Sequence, residues 1–123
     1  MEKDFLSKKV IGCAIEVHKT LGPGLLESSY ERCLMHELAS SGISANSQVL
    51  LPIQYKGVEI DAGYRLDIIL PGQLILELKA VDKLAPIHTA QLLTYLKLSG
   101  IKTGLLINFN VPRLMDGLKR VSL

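Results

Sequence analysis

The sequence predicts a mixed α/β fold, a mixed β-sheet flanked by helices, and three observations carry that reading. Apolar residues recur at helical spacing through the first forty positions. Four short segments of strand character follow, paired around Lys56-Gly57 and Pro71-Gly72. A stretch opened by Pro86 and closed by Gly100 then reads as a third helix and leads into the apolar run 103–108. The order helix, helix, hairpin, hairpin, helix, strand suits a sheet covered by helices on one face.

Leu6, Val10, Cys13, Ala14, Val17 and Leu21 form one helical stripe, with Lys3, Lys8, Lys9 and Lys19 mostly off it, so residues 4–21 read as an amphipathic helix. Gly22-Pro23-Gly24 ends it. A second helix is expected over 25–41, with Leu26, Tyr30, Leu34 and Leu38 on one side and Gly42 as its cap. The segments 49–55 and 58–60 flank Lys56-Gly57, where glycine supplies a positive φ, and read as a first hairpin; Pro52 places it at a sheet edge. The helix 86–99 follows, then a buried strand over 103–108, a short turn or helix around 112–118 and a last extended piece.

The second hairpin, 64–70 and 73–79, has a register fixed by its apolar residues. Leu66, Ile68 and Leu70 share one face of the first strand, and Leu74, Leu76 and Leu78 one face of the second. Burying both sets together sets 66 opposite 78, 68 opposite 76 and 70 opposite 74, which needs a three-residue loop with Gly72 or Gln73 left-handed. On the other face this register sets Asp67 opposite Glu77, their Cβ atoms about 5 Å apart, with Lys79 beside them.

Composition bounds the function. The 123 residues are 48% hydrophobic, enough for one core, and show no repeat or linker, so a single domain spanning 1–123 is expected. With 14 basic and 12 acidic residues the net charge of +2 is too small to indicate nucleic acid unaided, and any basic surface is local. Lys97, Lys102, Arg113, Lys119 and Arg120 are the candidates for such a rim. No apolar run approaches the ~18 to 20 residues that span a bilayer, so a soluble, cytoplasmic protein with no membrane partner is expected. Cys13 and Cys33 read as buried free thiols, and His18, His36 and His88 have no metal-ligand spacing with them. His18 stands out only because it ends the first helix just before Gly22.

Two carboxylates opposed on one sheet face repel, so ionising both near neutrality calls for a cation or a raised pKa on one of them. Mg²⁺ or Mn²⁺ prefers oxygen ligands and needs only one or two carboxylates beside water and phosphate. Lys79 adds a positive charge able to orient water or meet charge on a phosphoryl oxygen. The alternative is a solvated face carrying ordinary cross-strand charges. Ile69 and Ile75 on that same face favour a covered surface.

Gly24-Leu-Leu-Glu27-Ser-Ser-Tyr30 matches the motif of the GxxExxY proteins, and Asp67 followed by Glu77-Leu78-Lys79 matches the D…ExK signature of the PD-(D/E)XK nuclease superfamily to which they belong. The chain resembles that family from about Val10 onward, including Gly63-Tyr64-Arg65-Leu66-Asp67, Gln91-Leu-Leu-Thr-Tyr95 and 104–110. Leu66 stands where the superfamily's name implies proline. The resemblance implies a restriction-endonuclease-like core in which Asp67 and Glu77 hold Mg²⁺ or Mn²⁺, the Leu78 carbonyl adds a ligand and Lys79 assists the nucleophile. Glu27 is implied as a further metal-site acid from the second helix, and Tyr30, Gln91 and Tyr95 as groups that touch substrate or support the site. The implied activity is metal-dependent hydrolysis of phosphodiester bonds in DNA or RNA, by one chain or a homodimer. The rival expectation is a non-catalytic nucleic-acid-binding or assembly module on the same fold, and an enzyme acting on another substrate class is a third.

Overall fold

The computed structural model describes residues 3–123, with side-chain exposure described from Phe5 onward. Helix α1 (Lys3–Leu21) and helix α2 (Glu27–Ser40) come first, followed by strand β1 (Asn46–Leu50) and a short ribbon of β2 (Ile53–Tyr55) and β3 (Val58–Ile60). Strands β4 (Arg65–Leu70) and β5 (Leu74–Lys79), helix α3 (Pro86–Ser99), strand β6 (Thr103–Asn108), a 3-10 turn over Leu114–Gly117 and strand β7 (Leu118–Ser122) complete the chain. Five strands form one mixed sheet in the order β1-β4-β5-β6-β7, parallel between β5 and β6 and antiparallel elsewhere.

Helices cover both faces of this sheet, not one as expected. Val10, Ala14 and Val17 of α1 and Tyr30, Leu34 and Leu38 of α2 pack with Leu74, Leu76 and Leu78 of β5 and with Leu105 and Ile107 of β6. The alternate residues Ile75 and Leu106 face the other way, toward Leu92, Tyr95 and Leu96 of α3. Each leucine, isoleucine or valine among them, fully buried, stabilises the fold by roughly 1.5–3 kcal/mol relative to exposure. All six residues of β6 are buried, as a strand covered on both faces requires. Gly104 lets α3 approach closely: a Cβ there would lie 2.9 Å from Leu92 Cδ1.

The second hairpin keeps the predicted register, with Ile68 opposite Leu76 and Leu70 opposite Leu74, and Gly72 is the left-handed residue, at φ 73°. Helix α3 spans the predicted residues and closes on left-handed Gly100. The first hairpin is divided. Residues 46–50 join the main sheet along β4, Leu51 N–H donates to the Tyr64 carbonyl at 2.9 Å, and Pro52, lacking an N–H, stops the ladder. The pairing then resumes as the separate β2-β3 ribbon, in which Ile53 faces Ile60 and Tyr55 faces Val58 across the left-handed pair Lys56 and Gly57. Helix α2 begins two residues later than expected, so Leu26 is its N-cap and is 74% exposed instead of buried. Leu66 departs from its alternation partners and packs with Ile75, Leu92 and Tyr95 on the α3 side. Among the described residues no helix is long and apolar enough to cross a membrane.

Candidate active site

The paired backbones of β4 and β5 end at Ile68 and Leu76. Beyond them the expected direct opposition of 67 with 77, and of 66 with 78, gives way to a different arrangement. Asp67 N–H donates to Glu77 Oε2 at 2.9 Å, and Leu78 N–H donates to Asp67 Oδ2 at 2.8 Å. Each carboxylate thus accepts the amide hydrogen that a ladder carbonyl would have taken. Where the acceptor is ionised, as Asp67 is when Glu77 holds the proton, such a bond is about twice as strong as a neutral one, which helps offset the broken ladder at Leu78. The same opening explains why Leu66 changes side.

Strand β5 is held on its other edge by β6, in register as far as Lys79 opposite Asn108. The Asn108 side chain, 1% exposed, accepts from Val81 N–H at 3.1 Å and donates to the Val81 carbonyl at 2.9 Å, clamping the chain just after Lys79. Glu77 and Lys79 are therefore fixed by a central strand and a buried asparagine, whereas Asp67 is fixed by the two amide contacts.

Glu77 is only 5% exposed. Burial raises its pKa first, the Asp67 charge second, and the value reaches about 8 despite the Asp67 N–H and the Lys79 charge. Asp67 is raised by burial too, against the opposing pull of Leu78 N–H, Lys79 and Gln48. In the absence of a cation, burial and the Asp67 charge favour the neutral form of Glu77 at neutral pH. Lys79 is half-buried and close enough for its charge to lower both acids, yet among the described residues it makes no ion pair within 4.0 Å.

Glu27 is the first residue of α2 and is exposed. It lines a cleft of about 440 Å³ with Ser28, Glu31, Arg32, Gln48, Asp67 and Leu78, and its charge adds to the rise at Glu77. The helix start thus brings a third carboxylate to the mouth of the Asp67-Glu77 pair. Tyr30 does not join it. Its ring is fully buried and stacked on Phe109 at 4.4 Å, and its hydroxyl donates to the Gly22 carbonyl at 2.6 Å while accepting from Leu25 N–H at 3.1 Å. That leaves Tyr30 no surface with which to touch a substrate; it ties the glycine-rich turn to the helix that carries Glu27.

Tyr95 lies against Tyr64 with ring centroids 6.1 Å apart, and its hydroxyl pKa is raised by burial, then by the charge of Glu77 and, more weakly, of Tyr64 and Asp67. It is thereby within electrostatic reach of both acids. Gln91, one turn earlier on α3, is half-buried, and among the described residues its side chain makes no hydrogen bond. His88 Nδ1 accepts from Ala85 N–H at 3.0 Å at the start of α3, and His18 Nε2 lies 2.8 Å from the Val111 carbonyl, so both are engaged in the scaffold. Cys13 and Cys33 are free, the first buried and the second half-buried. The basic rim divides: Lys97 and Lys102 lie at the end of α3 and before β6, the opposite end of the sheet from Lys79, while Arg113 follows β6 and is within 3.6 Å of Asp116.

Three participants escape sequence reasoning. Glu31 sits one helical turn after Glu27, a spacing that hinted at a shared face, and its pKa is raised by burial first. Asn108 reads only as the end of an apolar strand. Gln48 carries no sequence signal at all, yet its side-chain amide reaches Glu31 Oε1 at 2.7 Å and Asp67 Oδ1 at 3.5 Å.

Among the described residues no three histidine, cysteine or acidic side chains converge as a ready-made cage. A buried acid pair with a raised pKa still fits a hard divalent ion, which needs only one or two carboxylates and takes its other oxygens from water, backbone or phosphate. Asp67 and Glu77 are the residues able to hold it, with the Leu78 carbonyl and Glu27 at hand.

The chain matches the family model of the PD-(D/E)XK nuclease superfamily over residues 4–121, and it belongs to that superfamily. The five-stranded mixed sheet with helices on both faces is the fold expected of a member. No curated protein and no solved structure gives a match.

Proposed function

We propose that this chain is a nuclease of the GxxExxY branch that hydrolyses phosphodiester bonds in DNA or RNA with Mg²⁺ or Mn²⁺. The observation that carries this reading is the interlocked pair: Asp67 and Glu77 each accept a backbone amide from the other's neighbourhood, with Lys79 alongside, in a chain of a nuclease superfamily. In this reading Asp67 and Glu77 hold the metal, assisted by the Leu78 carbonyl and by Glu27 across the cleft. The metal, when bound, lowers the pKa of its water and neutralises charge on phosphate. Lys79 orients the attacking water and meets charge that develops on the phosphoryl oxygens. Tyr95, within electrostatic reach of the acids, and Gln91, one turn earlier on α3, support the substrate or the site, and Tyr30 keeps Glu27 in place from beneath.

The rival, a non-catalytic nucleic-acid-binding module, makes a different use of the same surface. Calorimetry with Mn²⁺ on wild type and Glu77→Ala, followed by cleavage assays on duplex, single-stranded and branched DNA and on RNA, separates the two. Binding lost in Glu77→Ala, and cleavage lost in both Glu77→Ala and Lys79→Ala with the fold intact, is the expected result. Nucleic-acid binding that persists without metal, with no cleavage of any of these substrates, would overturn the assignment in favour of the rival.

A further inference from the structure

Gln48 is one of two described non-glycine residues with positive φ, at 53°. The other, Lys56, sits in the tight turn of the ribbon, where a two-residue hairpin loop requires that conformation. Gln48 sits in no turn. It lies within β1, and a left-handed residue of this kind costs of order 1–2 kcal/mol. The pairing of β1 with β4 runs through Ser47 and Ile68, and again through Val49 and Leu66, and omits the one position between, Gln48 against Asp67. The strain and the gap in the ladder therefore coincide at the residue that faces the candidate metal ligand.

The twisted backbone delivers the Gln48 amide into the cleft. Its Nε2 donates to Glu31 Oε1 at 2.7 Å and reaches Asp67 Oδ1 at 3.5 Å. The Asp67 carboxylate is thus approached from both sides: Leu78 N–H takes Oδ2 and Gln48 takes the outer oxygen, Oδ1. The short bond to Glu31 fixes where the amide sits, and the long one is of the kind that tightens when a site is filled. Groups that hold a metal-binding carboxylate in orientation typically contribute 10- to 100-fold to metal affinity or activity.

We propose that Gln48, anchored by Glu31, is a positioning residue that sets the orientation of the Asp67 carboxylate for metal binding. This rests on the nuclease reading for its purpose but not for its geometry, so the test has a metal-free arm. Gln48→Gly removes the side chain and keeps the backbone conformation at no strain; Glu31→Ala removes the anchor and leaves the backbone of β1 untouched. Amide hydrogen exchange followed by NMR on the metal-free protein is expected to show the Leu78 N–H, bonded to Asp67 Oδ2, exchanging several-fold faster in Gln48→Gly. The Leu76 and Leu105 amides are expected to keep wild-type rates, and Glu31→Ala to move Leu78 the same way by a smaller factor. Mn²⁺ binding by calorimetry is expected to weaken about tenfold in Gln48→Gly. Wild-type exchange at Leu78 in both variants overturns the proposal. Failure of the wild type to take up Mn²⁺, with or without a nucleic-acid substrate, sinks the metal reading instead, and the exchange rates still decide whether Gln48 orients Asp67.

Discussion

Glu77 shows how one side chain couples the site to the stability of the whole. Its carboxyl titrates near 8 in the folded chain against an ordinary value of 4.5, because it is buried and faces Asp67. The folded state therefore holds a proton that the unfolded chain has released throughout that interval, and stability falls as pH rises through it. Asp67, also raised, acts with the same sign from its own ordinary value of 3.8 upward. The Glu77 contribution is full below pH 4.5 and lost above about 8, a swing of order 5 kcal/mol for a shift of this size. Urea unfolding of metal-free protein at pH 5, 7 and 9 is expected to show that decline, and Glu77→Gln to flatten most of it while matching or exceeding wild type at pH 9. A wild type equally stable at pH 5 and 9 contradicts the assignment of the proton to Glu77. The sequence made this pair legible, because burying two sets of leucines fixes the register that faces Asp67 toward Glu77. It could not show that the strands open there, since whether a carboxylate accepts the opposite strand's amide depends on backbone geometry that alternation does not encode. Gln48 stayed hidden for the same reason: nothing in a glutamine announces a left-handed φ.

Among the elements, those with local signals were readable and those set by long-range contact were not. Helix α3 carries its own punctuation in Pro86 and Gly100, and the β4-β5 turn in Gly72, so each follows from neighbours in sequence. The segment 49–55 reads in sequence as one strand because pairing of β1 with β4 spans about twenty residues; Pro52 does lie beside an edge strand, as expected, and it also divides the segment between two sheets. The turn before β7 holds a similar long-range dependence. Gly117 packs on the Asn108 carbonyl so closely that a Cβ would overlap it, with Val111 Cγ2 3.1 Å away. Since Asn108 clamps Val81 beyond Lys79, displacement at Gly117 is transmitted to the end of β5. Gly117→Ala is expected to cost about 3 kcal/mol, the upper part of the range for overpacking, and to weaken cleavage beyond what the stability loss explains. Thermal unfolding alongside a cleavage assay at a temperature where the variant is fully folded checks both parts; wild-type stability would mean the Asn108 carbonyl yields without cost.

At the scale of the whole molecule, two helical layers clamp a sheet whose centre carries an acid pair that is most stable when protonated. If Glu77 holds a metal as proposed, folding and metal binding pull it in opposite directions: without an ion burial favours the neutral acid, and a divalent ion would require the carboxylate. Any ligand that binds only the folded chain raises its stability by RT ln(1 + [L]/Kd), so the unfolding temperature reports metal affinity without knowledge of a substrate. Because metal must displace a proton held with a pKa of about 8, affinity climbs with pH up to that value, by nearly tenfold per unit. At fixed Mn²⁺ the rise in Tm is thus expected to be several-fold larger at pH 8 than at pH 6, although the metal-free protein is the less stable of the two at pH 8. Glu77→Gln, which cannot supply the carboxylate, is expected to show little rise at either pH. Differential scanning fluorimetry across this range decides it. A shift independent of pH in the wild type would mean that bound metal leaves the Glu77 proton in place, and that Asp67 with Glu27 holds the ion without it.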